Sequence, residues 1–536
     1  MKINTVVLLS FLFCTKIIDA QEVITRINVT SKGNEANTHS FAPSISGDGR
    51  YVAFQSDATN LVTYDSNRFT DVFLHDRYTN QIKLISRNLA GKSANFKSTF
   101  PVISQEGHYV VFQSDASDLV ADDINQMRDI FIYHISSEKI ELVSVNSEGI
   151  QGNAPSSFPV VSSNGRYVAF ESDATNLVAD DTKNYVDVFV HDRETRETTR
   201  VSLSSTGKQL NSSSYGASIS GDGRYVVYAS DSRSVVSGDT NKVTDVFFHD
   251  RETGNNQRLS LNNEGIEGNA ASHEPRISLD GQYVVFISRA SNLVPNDTNG
   301  NEDIFLRNLT TQTTTRISVN NQGQEGDNDS FAPHISGNNH YIVFNSKANN
   351  LVNDDDNNTV DVFIYDRDTQ QISSVTPFSQ TFSNSDASVY PPVISDDGRF
   401  VAYESRALNL TAIDLNESSD IFVYDRTYCA VYQQADQTGY VPVLIIPDIG
   451  FYRARLMFNA NTEHFELQTY NKVRLPLENV VAGFEPTSGL LSLPCVEIID
   501  SNGILMEKLT VELTKIAENP LIFQLTNQEI VQSFKP

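Results

Sequence analysis

From about residue 22 onward, short apolar runs alternate with polar loops, and no stretch shows the spacing of an amphipathic helix. Within residues 159–203 the runs are Pro159 to Ser162, Tyr167 to Ser172, Asp187 to His191 and Thr199 to Leu203. Their alternation and their β-branched and aromatic content predict half-buried strands. Asp-Gly and Asn-Gly pairs, at Asp48-Gly49, Asn164-Gly165, Asp222-Gly223 and Asp397-Gly398, predict tight hairpins because they accept positive φ.

The pattern repeats. The aspartate that opens a D-[VI]-F motif stands at Asp71, Asp129, Asp187, Asp245, Asp303, Asp361 and Asp420, in steps of 58 five times and then 59. Four strands per copy and seven copies predict an all-β, seven-bladed β-propeller; a six-bladed ring with one odd repeat is the alternative. The seventh copy has YCAVYQQ where its fourth strand belongs. That strand reappears near the other end, where Thr25-Arg26-Ile27-Asn28-Val29 matches Thr315-Arg316-Ile317-Ser318-Val319. The chain is therefore expected to enter mid-repeat, its N-terminal strand completing the last blade. The expected organisation is a propeller over residues 21–435 and a C-terminal all-β accessory domain of β-sandwich type over 436–536.

The motif S-x-D-G-R-Y-V-A-F followed by D-x-N-x-x-x-D-V-F resembles the TolB-like, WD-repeat-like propeller repeats of bacterial exported proteins, over residues 22–426. The resemblance implies the fold. It does not imply an activity, since such propellers serve both as binding platforms and as non-catalytic halves of enzymes. Seven copies and an extra C-terminal domain depart from the family's six-bladed cell-envelope member, so that member's role is not carried over.

The first residues read differently. Met1-Lys2, the apolar stretch VVLLSFLFC and Ile18-Asp19-Ala20 predict a signal peptide over 1–20 and a secreted or periplasmic protein. Removal of Cys14 would leave Cys429 and Cys495, either paired as a disulfide or as two separate thiols. Acids outnumber bases 67 to 40, a formal charge of −27, which argues against nucleic acid or an anionic membrane as partner. No later apolar run is long enough for a transmembrane segment. A monomer is expected.

Candidate chemistry gathers in the loops. The loops between second and third strands, and those between blades, should open on one face, while the tight turns occupy the other; function is placed on the long-loop face. There the pattern D-x-N-x-x-x-D suits calcium, a hard cation with oxygen ligands. It recurs at Asp65, Asn67, Asp71; Asp123, Asn125, Asp129; Asp239, Asn241, Asp245; Asp297, Asn299, Asp303; Asp355, Asn357, Asp361; and Asp414, Asn416, Asp420. The alternative is that these side chains cap their own turns, and Lys183 in place of the third asparagine suits that reading better.

After each F-x-S strand stand Asp57, Asp115, Asp173 and Asp231, then Arg289, Lys347 and Arg406. These form either a polarised ligand-binding rim or solvated charges paired with nearby loops. His75, His191 and His249 recur in V-F-x-H-D-R and read as packing residues. In the first strand, next to the predicted central channel, Arg276 and His334 are the irregular polar choices and candidate ligand contacts. The expected function is an exported, non-enzymatic scaffold presenting an acidic, calcium-binding loop face to a protein or glycan. The alternative is a polysaccharide lyase or glycoside hydrolase acting at the channel mouth.

Overall fold

A computed structural model of the protein describes residues 23–426, except 78, 354, 356, 377–389, 409, 411–413 and 415; between 430 and 533 it describes backbone strands alone. Among the described residues there is no helix. The first blade comprises β2 (Ser40–Ile45), β3 (Tyr51–Ser56), β4 (Asp71–Asp76) and β5 (Gln81–Leu84), paired in that order. Five more four-stranded sheets follow the same plan. The seventh pairs Val393–Ile394, Phe400–Ser405 and Asp420–Asp425 with β1 (Val23–Arg26). The expected seven-bladed propeller, closed by an N-terminal strand, is therefore present.

Alternating residues of the middle strands bury both faces of each blade, because each blade is sandwiched between two others. Val52 and Phe54 pack in one cluster with Phe400, Ala402, Ile421 and Val423 of the seventh blade. Ala53, Val72 and Leu74 pack in another with Val110, Phe112 and Phe131 of the second. Such a cluster fills each of the seven interfaces, including that between the last blade and the first. Ring closure is repeated in the turns: a Cβ on Gly49, whose φ is +70°, would lie 2.1 Å from the Phe400 ring. Glycine is needed there for both its backbone and its lack of a side chain.

The compact unit described here spans Ile24–Tyr424. Beyond it, the strands between Ala430 and Ser533 form one eight-stranded sheet, with further parallel pairings of Ala430–Gln433 to Leu490–Ile499 and of Thr438–Ile446 to Gly483–Glu485. Cys429 lies outside the described residues, as does the side chain of Cys495, and so does the disulfide expected between them.

Candidate functional site

Each D-x-N-x-x-x-D loop ends in an aspartate that opens the third strand and is buried, as at Asp71, Asp129, Asp187, Asp245, Asp303, Asp361 and Asp420. In six blades a hydroxyl just beyond the fourth strand donates to this aspartate's Oδ1, as from Ser86 to Asp71 at 2.6 Å and from Thr376 to Asp361 at 2.7 Å. In the seventh blade the Asn28 amide does so at 2.5 Å, from the N-terminal strand segment.

The motif asparagine is occupied with turn-making. Asn67 Oδ1 accepts the Phe69 amide at 2.9 Å, and its Nδ2 donates to the Ala94 carbonyl at 2.9 Å. Asn125, Asn241, Asn299 and Asn416 donate likewise to Gly152, Gly268, Gly326 and Ala36. Lys183, in the asparagine's place, reaches the corresponding Leu210 carbonyl with its Nζ at 3.0 Å. Asn357 accepts the Thr359 amide in the same turn.

A partner that the sequence reading missed is the arginine ending the fourth strand. Arg316 lies 3.3 Å from Asp297, 3.4 Å from Asp303 and 3.0 Å from Glu325. Arg258 meets Asp239, Asp245 and Glu267, and Arg200 meets Asp181 and Asp187. Glu35, Asp414 and Asp420 place carboxylate oxygens within 4.8 Å of one another, and Arg26 is ion-paired to all three. The signal was present in the repeated T-R of the fourth strand, but the contact crosses two strands and is invisible without their register.

The rim residues after the second strand mostly find partners on the adjoining loop. Asp115 pairs with Arg128 at 2.8 Å, and Arg289 with Glu302 at 3.1 Å, with the charges exchanged. Asp57 accepts from Thr70 and Asp231 from Thr244, while Lys347 lies 5.8 Å from the Phe331 ring centre. Asp173 and Arg406 are exposed. His75, His191 and His249 are buried, bonded to the Ile27 carbonyl, Thr198 and Asn256. Burial lowers all three pKa values, to about 4 at His191.

The first strands lie against one another at the centre of the ring. Those of blades one to six carry a bulge with left-handed backbone, at Ala42, Phe100, Phe158, Gly216, Glu274 and Ala332. At three of them the penultimate side chain of the preceding blade's second strand accepts the bulge amide, while Ala229 and Ile287 stand at that position before Glu274 and Ala332. Gln55 accepts the Phe100 amide at 2.7 Å, Gln113 that of Phe158 at 2.9 Å, and Glu171 that of Gly216 at 2.7 Å. Pro391 has no amide hydrogen, and Asn345 donates instead to the Tyr390 carbonyl at 3.1 Å.

Phe41, Tyr390, Phe100 and Phe158 form an aromatic arc here, with centroids 4.9–6.1 Å apart. Further round the ring stand Glu274, Arg276 and His334. Burial pushes Glu171 up to about 7, against the Gly216 amide and the Arg276 charge. His334 is pushed down to about 4 by burial and by Arg276, and its Nδ1 has no hydrogen-bond partner. Arg276 thus lies within electrostatic reach of both Glu171 and His334, and sequence reading missed both Glu171 and the aromatic arc on the other first strands. Their mark in the sequence is irregularity at positions where the repeat otherwise holds.

The loop face of the first two blades is also irregular. Tyr64, Phe69, Leu89, Phe96, Ile124, Met127 and Ile150 are exposed there, with Ile124 82% and Leu89 73% accessible. Phe69 and Phe96 pack with centroids 4.7 Å apart. A cleft of about 740 Å³ is lined by Val120, Ile124, Leu142, Val145 and Ile150. No helix among the described residues is long and apolar enough to cross a membrane.

No protein-family model matches the chain. No curated protein matches its sequence. Similar solved structures include an oligogalacturonate lyase in complex with manganese, at 11% identity and TM-score 0.46, covering 75% of this chain and 92% of that one. The β-propeller domain of the Trilobed protease from Pyrococcus furiosus is 10% identical with TM-score 0.46, covering 73% and 96%. TolB from Acinetobacter baumannii is 15% identical with TM-score 0.34, covering 70% and 80%. The propeller assignment rests on the strand order of this chain, and no family is assigned.

Proposed function

We propose that the protein is an exported, non-enzymatic binding scaffold whose loop face docks a protein partner over blades one and two. The observation that carries this reading is the exposed apolar set there, seven large side chains against the scattered Tyr185, Ile266 and Leu408 on the loops of other blades. Exposed apolar side chains of this size are costly in water and mark contact surfaces when they cluster. Aliphatic side chains such as Leu89, Ile124 and Ile150 suit a protein better than a sugar ring, and the cleft can take an anchoring side chain. Export is supported by the charged, apolar and small-residue pattern of residues 1–20.

The test compares the wild-type chain with an Ile124→Asp/Ile150→Asp variant and with a control altered on the tight-turn face at Glu194. Each is used to capture partners from the source organism's own extracellular fraction, with quantitative mass spectrometry. A protein retained by wild type and control, and reduced at least tenfold by the double variant, is the expected result. Equal capture by all three overturns the site. Release of unsaturated or reducing sugar ends from polysaccharide by the wild-type chain would favour the enzyme reading instead.

A further inference from the structure

The repeat provides its own comparison for what occupies the space between the two motif aspartates. In blades three, four, five and seven the occupant is a guanidinium: Arg200, Arg258, Arg316 or Arg26. In blades four and five it touches Oδ1 of the first aspartate and Oδ2 of the last. Its other nitrogen donates to a backbone carbonyl, Gly238 at 3.1 Å and Asn296 at 3.2 Å. In blades one and two the arginine is replaced by Leu84 and Leu142, while both aspartates remain.

The same oxygens then lack a guanidinium, whereas Asp239 Oδ1, Asp414 Oδ2 and Asp420 Oδ2, also without a hydrogen bond, have one 3.1–3.7 Å away. Asp65 Oδ1 and Asp71 Oδ2 are buried with no hydrogen-bond partner, as are both oxygens of Asp123 and Oδ2 of Asp129. Asp123 is only 9% accessible, and Asp71 and Asp129 are 0% accessible. A buried carboxylate without a countercharge is strongly disfavoured. The third acid is present in three of the four arginine blades, as Glu35, Glu267 and Glu325, and is Gln209 beside Arg200 in blade three; blades one and two have Ser93 and Gln151 there. Each arginine-free slot therefore carries two formal negative charges, which one divalent cation neutralises.

We infer that blades one and two each bind a divalent, oxygen-seeking cation of the calcium type in the slot that arginine fills elsewhere. Asp65 and Asp71 supply carboxylate oxygens in the first blade, with the Tyr64 carbonyl at the position corresponding to Gly238 and Asn296; Asp123 and Asp129 do so in the second. Calcium tolerates such a mixed shell and completes it with water. Of the D-x-N-x-x-x-D loops, those of blades four, five and seven carry their own cation. The inference is confined to the first two blades because residues flanking Asp355 in the sixth lie outside the described ones.

The test is calcium titration calorimetry on the chelator-treated chain, with magnesium as the comparison, alongside thermal unfolding in calcium and in chelator. At calcium a hundredfold above the dissociation constant, the midpoint should rise by about 3 °C or more. A Leu84→Arg/Leu142→Arg variant, which restores the internal cation, should bind two fewer equivalents and lose that rise. The reciprocal Arg316→Leu variant should bind one more equivalent than wild type. If the double arginine variant fails to fold, the Arg316→Leu result decides: an added equivalent supports the sites and none overturns them. Absence of calcium binding by wild type, or unchanged stoichiometry in the double variant, overturns the inference and leaves the acid pairs sharing a proton.

Discussion

At Glu171, burial opposes a backbone hydrogen bond and the Arg276 charge, and burial wins, leaving a carboxyl that titrates near 7. The folded state thus holds a proton that the unfolded chain gives up near its ordinary value of 4.5. This group's contribution to stability is full below about pH 4.5 and is lost as pH rises through 7, by about 3 kcal/mol on the usual conversion. Glutamine already fills the equivalent positions as Gln55 and Gln113, with the same hydrogen bond to the next bulge. Glu171→Gln should therefore raise stability above pH 7 and flatten this part of the pH profile, as measured by urea unfolding at several pH values. An unaltered profile would show that Glu171 titrates in the folded chain near its ordinary value. None of this was legible from residue type: a phenylalanine at φ near 50°, as at Phe100 and Phe158, is imposed by the ring.

Among the elements, β1 shows how a strand can be recognised far from its sheet. Its match to the fourth strands of the other copies was readable because the repeat is regular enough to register a displaced piece. What it does chemically was not, because the contacts run to Asp414 and Asp420 across the seam. Asn28, just beyond β1, stands where other blades have serine or threonine; its amide bonds Asp420 and Ser40, and its Oδ1 accepts the Ile421 amide. Asn28→Ala removes three buried hydrogen bonds and leaves the Ile421 amide without its partner, and should cost about 2–4 kcal/mol in denaturant unfolding, whereas loss of a surface contact would cost under half a kcal/mol. Gly49→Ala attacks the same seam from the turn side, by collision with Phe400, and should cost about 1–3 kcal/mol.

For the molecule as a whole, architecture was the most legible layer, since seven registered copies with Asp-Gly turns admit few other folds. Binding chemistry was the least, because it lies where copies disagree, as at Leu84 and Leu142 against Arg316, and disagreement has meaning only once the register is known. Removal of residues 23–29 should leave the Asp420–Asp425 strand as an open edge, so the truncated chain should self-associate in light scattering where the intact chain does not. The seam also sets a timetable for biosynthesis. From Arg26 to Asp420 there are 394 residues, so the strand made first waits about 20–80 s at ordinary elongation rates before its partner exists. Throughout that interval every earlier blade can fold, yet the ring stays unlatched, and whatever shields β1 meanwhile governs how much of the newly made chain ever closes.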